Sequence, residues 1–331
     1  MDNLTHTAVG LFLSRAGLKS WTPRATLILM LASNAPDIDI VSALRGSLTY
    51  LHYHRHWTHS LMAMPLIALL PVLLVSLAER RPAVWIKGYL ASLIAVASHL
   101  LLDLTNIYGV RLLLPFSGEW LRLDLTAVID LWIWCVCLLG IAGPFIGRLV
   151  GSEITSGTVR VPHHGRGFAW FALVFLVLYN GGRSVLHARA VAVLDSRLYQ
   201  GSQPLRVVAM PGQANPFRWS GLVETRDFWV SADVNLLGEF DPTQGSVLHK
   251  AAPEPALDAA RDTATFQAFL RFSQAPLWRV TPVPEPENGR LVEVFDLRFG
   301  TPMSPGFMVS ALVNSRQQVV EELFNFKARP R

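Results

Sequence analysis

Residues 84–103 read VWIKGYLASLIAVASHLLLD, an almost unbroken apolar run that ends in His99 and Asp103. A run of this length can cross the hydrocarbon core of a bilayer as one helix. His99 and Asp103 are four positions apart, so one helix face carries both side chains within reach of a single ion. Ionisable groups in a membrane helix are functional candidates by default. The stretch predicts a membrane protein with a polar site at one end of a span.

Further apolar runs extend this prediction to both sides of residues 84–103. Beside the span from Val84 to Leu102, we expect spans from Leu61 to Ala78, Ala127 to Val150 and Phe168 to Asn180. Two shorter runs, Thr7 to Leu18 and Ala25 to Ala35, predict either a pair of short spans or a re-entrant helical hairpin. Residues 1–185 should therefore form an α-helical polytopic membrane domain, with about four long transmembrane helices and a short N-terminal hairpin.

The sequence changes character after about residue 185, where long apolar runs give way to alternating patterns. Phe228 to Val234 and Leu291 to Leu297 are typical of strands, and Asn288-Gly289 predicts a hairpin turn. Asp258 to Ser273 predicts one amphipathic helix. Residues 186–331 should form a mostly β (α+β) soluble domain outside the cytoplasm.

The composition agrees with a membrane part joined to a soluble part. Only 16% of the 331 residues are charged, against about 25% in average soluble chains. The formal charge is +5, and the basic residues stand mainly in short loops between apolar runs, which indicates topology rather than a nucleic-acid-binding surface. Cys135 and Cys137 are two positions apart on a predicted helix, so neither a disulfide nor a metal pair is expected between them.

The basic loops also predict an orientation, because short cytoplasmic loops are rich in Lys and Arg. The loop Glu79-Arg80-Arg81-Pro82 and the link from Arg148 to Arg166, with His163 and His164, should be cytoplasmic. The segments Asp37 to Ser60 and Asp103 to Thr126 then lie on the outer face, with the C-terminal domain.

Most of the His and Asp residues of interest gather on that outer face. They are His6, Asp37, Asp39, His54, His56, His59, His99 and Asp103. Neutral imidazole and carboxylate groups form the ligand set expected for Zn²⁺, Mn²⁺ or Fe²⁺. More than four candidates indicate one or two ions, with some side chains acting as outer partners. Taken alone, Pro36-Asp37-Ile38-Asp39 is more often a helix cap than a ligand pair.

The order of these motifs resembles the YdjM-like inner-membrane proteins. The resemblance covers roughly the first 150 residues and rests on His6, Pro36-Asp37-Ile38-Asp39, His54-Arg55-x-x-Thr58-His59-Ser60, His99-x-x-x-Asp103 and Leu113-Leu114-Pro115-Phe116-Ser117. It implies a membrane-bound metal-dependent hydrolase of a bacterial inner membrane. The implied metal ligands are His6, Asp37, Asp39, His54, His59, His99 and Asp103, with Arg55 and Ser60 in support. Whether His54 or His56 binds metal stays open.

Together these observations predict a metal-dependent hydrolase that acts at the outer face of the membrane on a lipid or phosphoester substrate. Its catalytic candidates are Arg55, which can hold an anionic oxygen, Asp103, which can act as a general base, and Ser60. A site at the bilayer surface makes membrane lipids the expected partners. The alternatives are an amide or ester hydrolase, and a metal-stabilised scaffold or accessory protein without turnover.

Overall fold

The chain is described by a computed structural model over residues 1–79, 85–154 and 164–325. It divides into two compact units. The first comprises Met1–Asp39, Arg55–His187 and Pro211–Pro216; the second comprises Ile40–His54, Ala188–Met210 and the described chain from Phe217 onward. The basic positions Arg80, Arg81, Arg160 and His163, which carry the predicted orientation, lie outside the described residues.

Helices dominate the N-terminal part of the chain. The α-helices of the described residues are α1 (Asn3–Ala16), α2 (Ala25–Ala32), α3 (Ser47–Tyr53), α4 (Met64–Glu79), α5 (Trp85–Thr105), α6 (Leu131–Ile154), α7 (His164–Asp195), α8 (Pro255–Arg261) and α9 (Ala264–Phe272). Two 3-10 segments, Ala35–Arg45 and Trp57–His59, complete the region around the candidate site.

Two helices of the described residues, α5 and α7, are long and apolar enough to cross a membrane. The number rises to four if each of two bent pairs is one span: Ala25–Ala32 with Ala35–Arg45, and Ser47–His59 with Met64–Ala78. In α6, the segment Leu131–Gly147 is a shorter apolar helix. A helical N-terminal region with two to four candidate spans is therefore confirmed.

The third predicted span begins later than its apolar run, at Leu131 instead of Ala127. The side chain of Asp130 accepts hydrogen bonds from the backbone N–H groups of Trp132 (3.1 Å) and Ile133 (3.3 Å), as a helix N-cap does. Burial raises the pKa of Asp130. Asp130 thus defines the start of α6, and residues 127–130 stay outside the helix.

The fourth predicted span is much longer than expected, because α7 continues past Asn180 to Asp195. Arg183 lies within this longer helix. Its side chain is buried, and it donates to the backbone carbonyls of Leu125 (Nε, 2.8 Å) and Pro216 (Nη1, 2.6 Å). Protein carbonyls replace solvent around the guanidinium, so the helix continues through this position.

Small residues allow the helices around α5 to approach closely. A Cβ at Gly10 of α1 would lie 2.7 Å from the carbonyl oxygen of Leu29 in α2. Ala91 and Ala95 of α5 are fully buried with Ala68 of α4 in one apolar cluster. Such small-residue contacts are the usual means of helix packing in membranes. They hold α5 among its neighbours and thereby position His99 and Asp103.

The second unit contains two four-stranded sheets, in the orders β1-β2-β3-β4 and β10-β9-β6-β5, and a two-stranded β7-β8 ribbon. The pairs β2-β3, β3-β4, β5-β6, β6-β9, β9-β10 and β7-β8 are antiparallel. The strands are β1 (Arg206–Pro211), β2 (Arg218–Glu224), β3 (Phe228–Asn235), β4 (Ser246–His249), β5 (Pro276–Pro282), β6 (Arg290–Asp296), β7 (Gly300–Thr301), β8 (Ser304–Pro305), β9 (Met308–Val313) and β10 (Val319–Asn325). The predicted strands correspond to β3 and β6, and the Asn288-Gly289 turn joins β5 to β6. The β-rich C-terminal domain is confirmed.

The predicted single helix from Asp258 to Ser273 is wrong. It is broken into α8 and α9, because Thr263 adopts an extended conformation and caps the second helix by accepting from the backbone N–H of Phe266. Local hydrogen bonding by a threonine side chain competes with helix continuation at such positions. Phe266, Phe269 and Phe272 of α9 are buried in the second unit.

Candidate metal centre

Four side chains of the first unit converge at one end of α5. Asp37 comes from the 3-10 segment Ala35–Arg45, His59 from the short 3-10 turn, and His99 and Asp103 from α5. One ligand atom of each lies within 4.8 Å of the others. His59, His99 and Asp103 are buried, whereas the Asp37 side chain keeps 12% of its surface exposed.

Five distances between these atoms, from 3.2 to 3.7 Å, lie close to those of a tetrahedral metal site. Nε2 of His59 lies 3.4 Å from Oδ1 of Asp37 and 3.4 Å from Oδ2 of Asp103. Nε2 of His99 lies 3.7 Å and 3.4 Å from the same two oxygens, and 3.2 Å from Nε2 of His59. Donors at about 2.0–2.2 Å from a tetrahedral ion are about 3.3–3.6 Å apart. The four residues can therefore hold a metal ion.

In both imidazoles Nε2 faces the centre, and Nδ1 is the outer nitrogen that contacts other protein groups. Nδ1 of His99 lies 2.7 Å from the carbonyl oxygen of Ser33. Because a carbonyl only accepts, Nδ1 carries the proton and Nε2 of the neutral ring has a lone pair. Nδ1 of His59 lies 3.2 Å from Oδ2 of Asp39 and 3.0 Å from Oγ1 of Thr58, whose hydroxyl donates to the same carboxylate oxygen. Carbonyl and carboxylate partners of this kind are typical of metal-binding histidines. With Nδ1 of both rings protonated, the two Nε2 lone pairs at 3.2 Å repel unless a cation lies between them.

Asp103 presents its two oxygens to different surroundings. Oδ2 faces the two imidazoles and, among the described residues, has no hydrogen-bond partner although it is buried. Oδ1 faces positive charge: Nη2 of Arg55 lies at 2.9 Å, and the amino group of Met1 also contacts it. A buried carboxylate oxygen without a donor costs free energy unless a cation supplies the missing interaction. The unpartnered Oδ2 is thus a second feature that fits a bound ion.

His6 of α1 lies beside the four-residue centre. Its ring stacks on that of His99 with 3.8 Å between centroids, and its Nε2 is 3.4 Å from Oδ1 of Asp103. The ring is buried, and within the described part of the chain neither of its nitrogens makes a hydrogen bond. His6 is therefore placed to exchange a proton at the centre or to bind a second ion together with Asp103.

Arg55 is held in a strained conformation that directs it toward Asp103. Its φ of 55° falls in the left-handed region, which costs a residue with a long side chain about 1 kcal/mol or more. Its backbone N–H donates to Oδ2 of Asp39 at 2.8 Å. Its Nη1 donates to Oδ1 of Asn106 (3.1 Å) and to the carbonyl of Gly109 (3.2 Å). These contacts fix the guanidinium against the centre.

Three other predicted site residues have different surroundings. Ser60 donates to the carbonyl oxygen of Trp57 at 2.9 Å and accepts from a backbone N–H three residues on, so its hydroxyl shapes the turn that carries His59. The ring of His56 packs edge-on against Trp57. His54 belongs to the second unit, where it ends α3 and stacks on Tyr50.

A family comparison matches residues 1–190, more than half of the chain, to the model of the YdjM inner membrane protein. The chain belongs to the YdjM family. The matched region contains the whole four-residue centre, His6 and Arg55. The uncharacterized protein YfhP of Bacillus subtilis (strain 168) is 33% identical over 318 residues, which cover 90% of this chain and 87% of that protein. No solved structure matches the chain.

Two supporting side chains of this YdjM-family centre escaped the sequence analysis. Asn106 is fully buried and orients Arg55, and the ring of Tyr108 lies under the Arg55 guanidinium at 4.8 Å. The sequence feature that could have identified them is their short distance along the chain from Asp103. No sequence feature could have identified the Ser33 carbonyl, because every residue has a backbone carbonyl.

Proposed function

We propose that this YdjM-family protein is a membrane-bound, metal-dependent hydrolase that acts on a lipid-borne phosphoester at the outer face of the membrane. The observation that carries the proposal is the convergence of Asp37, His59, His99 and Asp103, whose ligand atoms lie within 4.8 Å of one another, with 3.2 Å between the two Nε2 atoms. Asp37, His59, His99 and Asp103 would hold the ion, for which Zn²⁺ is the first choice and Mn²⁺ or Fe²⁺ the alternatives.

The position of the centre supports a substrate from the bilayer. His99 and Asp103 occupy the last turns of α5, so they stand near one end of a candidate span. Asp37 is the partly exposed member of the centre, with 12% of its side-chain surface accessible. A headgroup therefore has an approach on the Asp37 side, while the buried histidines close the opposite side.

Each residue then has a distinct role at the reacting phosphoryl group. A bound ion would lower the pKa of a water toward about 7 and polarise a phosphoryl oxygen. Arg55 would stabilise the anionic oxygen, since guanidinium groups match phosphate geometry. His6 or Asp103 would accept a proton from the attacking water. Asp39 orients His59 through its outer nitrogen, and Ser60 stabilises the turn.

A metal-stabilised scaffold without turnover is the second candidate. The observation that favours it is that four protein donors lie within 4.8 Å of one another, since structural zinc sites use four protein ligands and catalytic sites keep a position open. An amide or ester hydrolase would use the same centre. The phosphoester is preferred because Arg55 adds positive charge beside Asp103.

The test is metal analysis of the purified full chain, followed by assays with phosphatidic acid, a polyprenyl phosphate and an acyl ester in detergent and in liposomes. Metal-dependent release of phosphate by the wild type, lost in the His99→Ala variant, would support the proposal. A stoichiometric metal with no turnover of any substrate would favour the scaffold. Absence of bound metal after reconstitution would contradict both.

A further inference from the structure

A lateral groove of about 690 Å³ lies between α1, α5 and α7 in the first unit. Its walls are apolar side chains such as Leu13, Leu101, Leu173 and Val177, apart from Ser98, Thr105 and Asn180. Leu101 and Val177 are 63% and 72% exposed, so the groove is open along its length. At its far end the indole of Trp170 donates to the carbonyl oxygen of Ala16 and joins α7 to α1.

The groove is as long as one leaflet of a bilayer. From Ile94 to Thr105, α5 rises about 16 Å, at about 1.5 Å per residue. The hydrocarbon core of a bilayer is about 30 Å thick, so one leaflet is about 15 Å. The two longer walls belong to α5 and α7, the two helices that, within the described residues, are able to cross a membrane alone. Its length and its lining fit one acyl chain.

The groove also runs beside the candidate metal centre. On α5, Ser98 and Leu102 line the groove and directly precede His99 and Asp103, so groove and centre occupy adjacent faces of the same helix turns. The end at Thr105 is less than one turn from Asp103. A chain lying in the groove would thus bring its headgroup to the level of the centre.

At the polar end of the groove, the side chain of Asn180 presents a hydrogen-bond acceptor. Asn180 lines the groove, and its amide N–H donates to the carbonyl of Leu176 at 2.8 Å. Its Oδ1 is buried and accepts no hydrogen bond from any residue that the structure describes. Because a buried acceptor without a donor is costly, this oxygen is suited to a hydroxyl or amine at the headgroup end of a lipid.

We propose that this groove binds one acyl chain of a glycerophospholipid substrate and directs its phosphate to the metal centre. The inference rests on the proposed function, to which it adds the substrate class. A long polyprenyl chain fits less well, because it would extend well beyond a groove one leaflet long.

The test uses the full chain in lipid nanodiscs, with phosphatidic acid that carries a photoreactive group on one acyl chain. Val177→Trp would fill the groove, and Leu178→Trp, at an equally exposed neighbouring position outside the groove lining, is the matched control. Ile94→Trp and Leu90→Trp form a second such pair on α5. Saturable labelling of groove residues should fall about tenfold in Val177→Trp and Ile94→Trp, since each methylene displaced from apolar burial costs severalfold in affinity.

The outcomes separate this inference from the proposed function. Selective groove labelling without any metal-dependent hydrolysis would support the groove assignment and contradict the proposed hydrolase activity. Labelling spread evenly over lipid-facing positions, or equal loss in Leu178→Trp, would overturn the groove, even if a soluble phosphoester were still hydrolysed. Selective labelling by a photoreactive polyprenyl phosphate instead of the acyl probe would also overturn the acyl-chain assignment.

Discussion

Arg55 forms an ion pair with Asp103, with 2.9 Å between Nη2 and Oδ1, and both side chains are buried. The other oxygen of Asp103 faces the imidazoles of His59 and His99. One carboxylate therefore connects the basic side of the centre to the side that can hold an ion. Substitutions of the metal-binding residues and substitutions on the Arg55 side should therefore have different effects.

Removal of a residue that would bind the ion should abolish metal content and activity together. We expect His99→Ala and Asp103→Asn to purify without stoichiometric metal, because each takes one donor from the tetrahedral set. For the wild type, a metal at 100 times its dissociation constant should add about 2.7 kcal/mol to the free energy of unfolding. Elemental analysis and thermal melts with and without chelator measure both effects. His187→Ala is the control, and loss of metal there would contradict the assignment.

Asp39 should behave as an outer partner. Because Asp39 contacts Nδ1 of His59 and not the inner nitrogen, Asp39→Ala should weaken metal affinity about 10–100-fold while leaving full occupancy at high metal concentration. A competition titration with a metal indicator measures this. If Asp39→Ala lost the metal as completely as His99→Ala, Asp39 would be a direct ligand.

Arg55 should affect an anionic substrate more than the metal. Lysine keeps the charge of Arg55 but cannot reach Asp103, Asn106 and Gly109 with one planar group. We therefore expect Arg55→Lys and Arg55→Ala to retain metal and to raise KM for a phosphoester, with Arg55→Ala the more severe. Asn106→Ala, which removes a contact that orients Arg55, should give a milder change in the same direction. Unchanged kinetics in Arg55→Ala would exclude substrate binding by this residue.

Asp130 should matter for stability and not for the metal. Asp130→Ala removes the cap of α6, which typically costs about 1 kcal/mol, and leaves the Tyr179 hydroxyl without the carboxylate to which it donates at 3.1 Å. Thermal unfolding should shift downward while metal content stays at the wild-type value. A decrease in metal content comparable to that of His99→Ala would show that Asp130 belongs to the centre.

The predicted orientation can be tested by cysteine labelling in intact cells. Cys135 and Cys137 are first replaced by Ala, because Cys135 is exposed. A cysteine at Ser246 should then react with an impermeant reagent from outside, and a cysteine at Glu79 should react only after the membrane is permeabilised. Labelling of both from outside would invalidate the proposed outer-face location of the centre.

The sequence by itself determined the features that depend on neighbours along the chain. Apolar runs identify helices because backbone groups in a bilayer must pair within the segment, and α4, α5, α6 and α7 occur where such runs were found. The four-residue spacing of His99 and Asp103 already places both on one helix face. The alternation from Phe228 onward likewise predicts β3, because side chains on a strand alternate between faces.

The tertiary structure alone decided which distant residues meet. No local pattern brings Asp37 and His59 to His99, selects the Ser33 carbonyl as the partner of Nδ1, or assigns Asp39 to the outer nitrogen of His59. The same holds for Arg183 of α7, whose guanidinium is paired by the backbone carbonyls of Leu125 and Pro216. Local sequence determines helix and strand through backbone hydrogen bonding and periodic burial, whereas a metal centre requires donors within a few ångströms, which only the packing of separate segments provides.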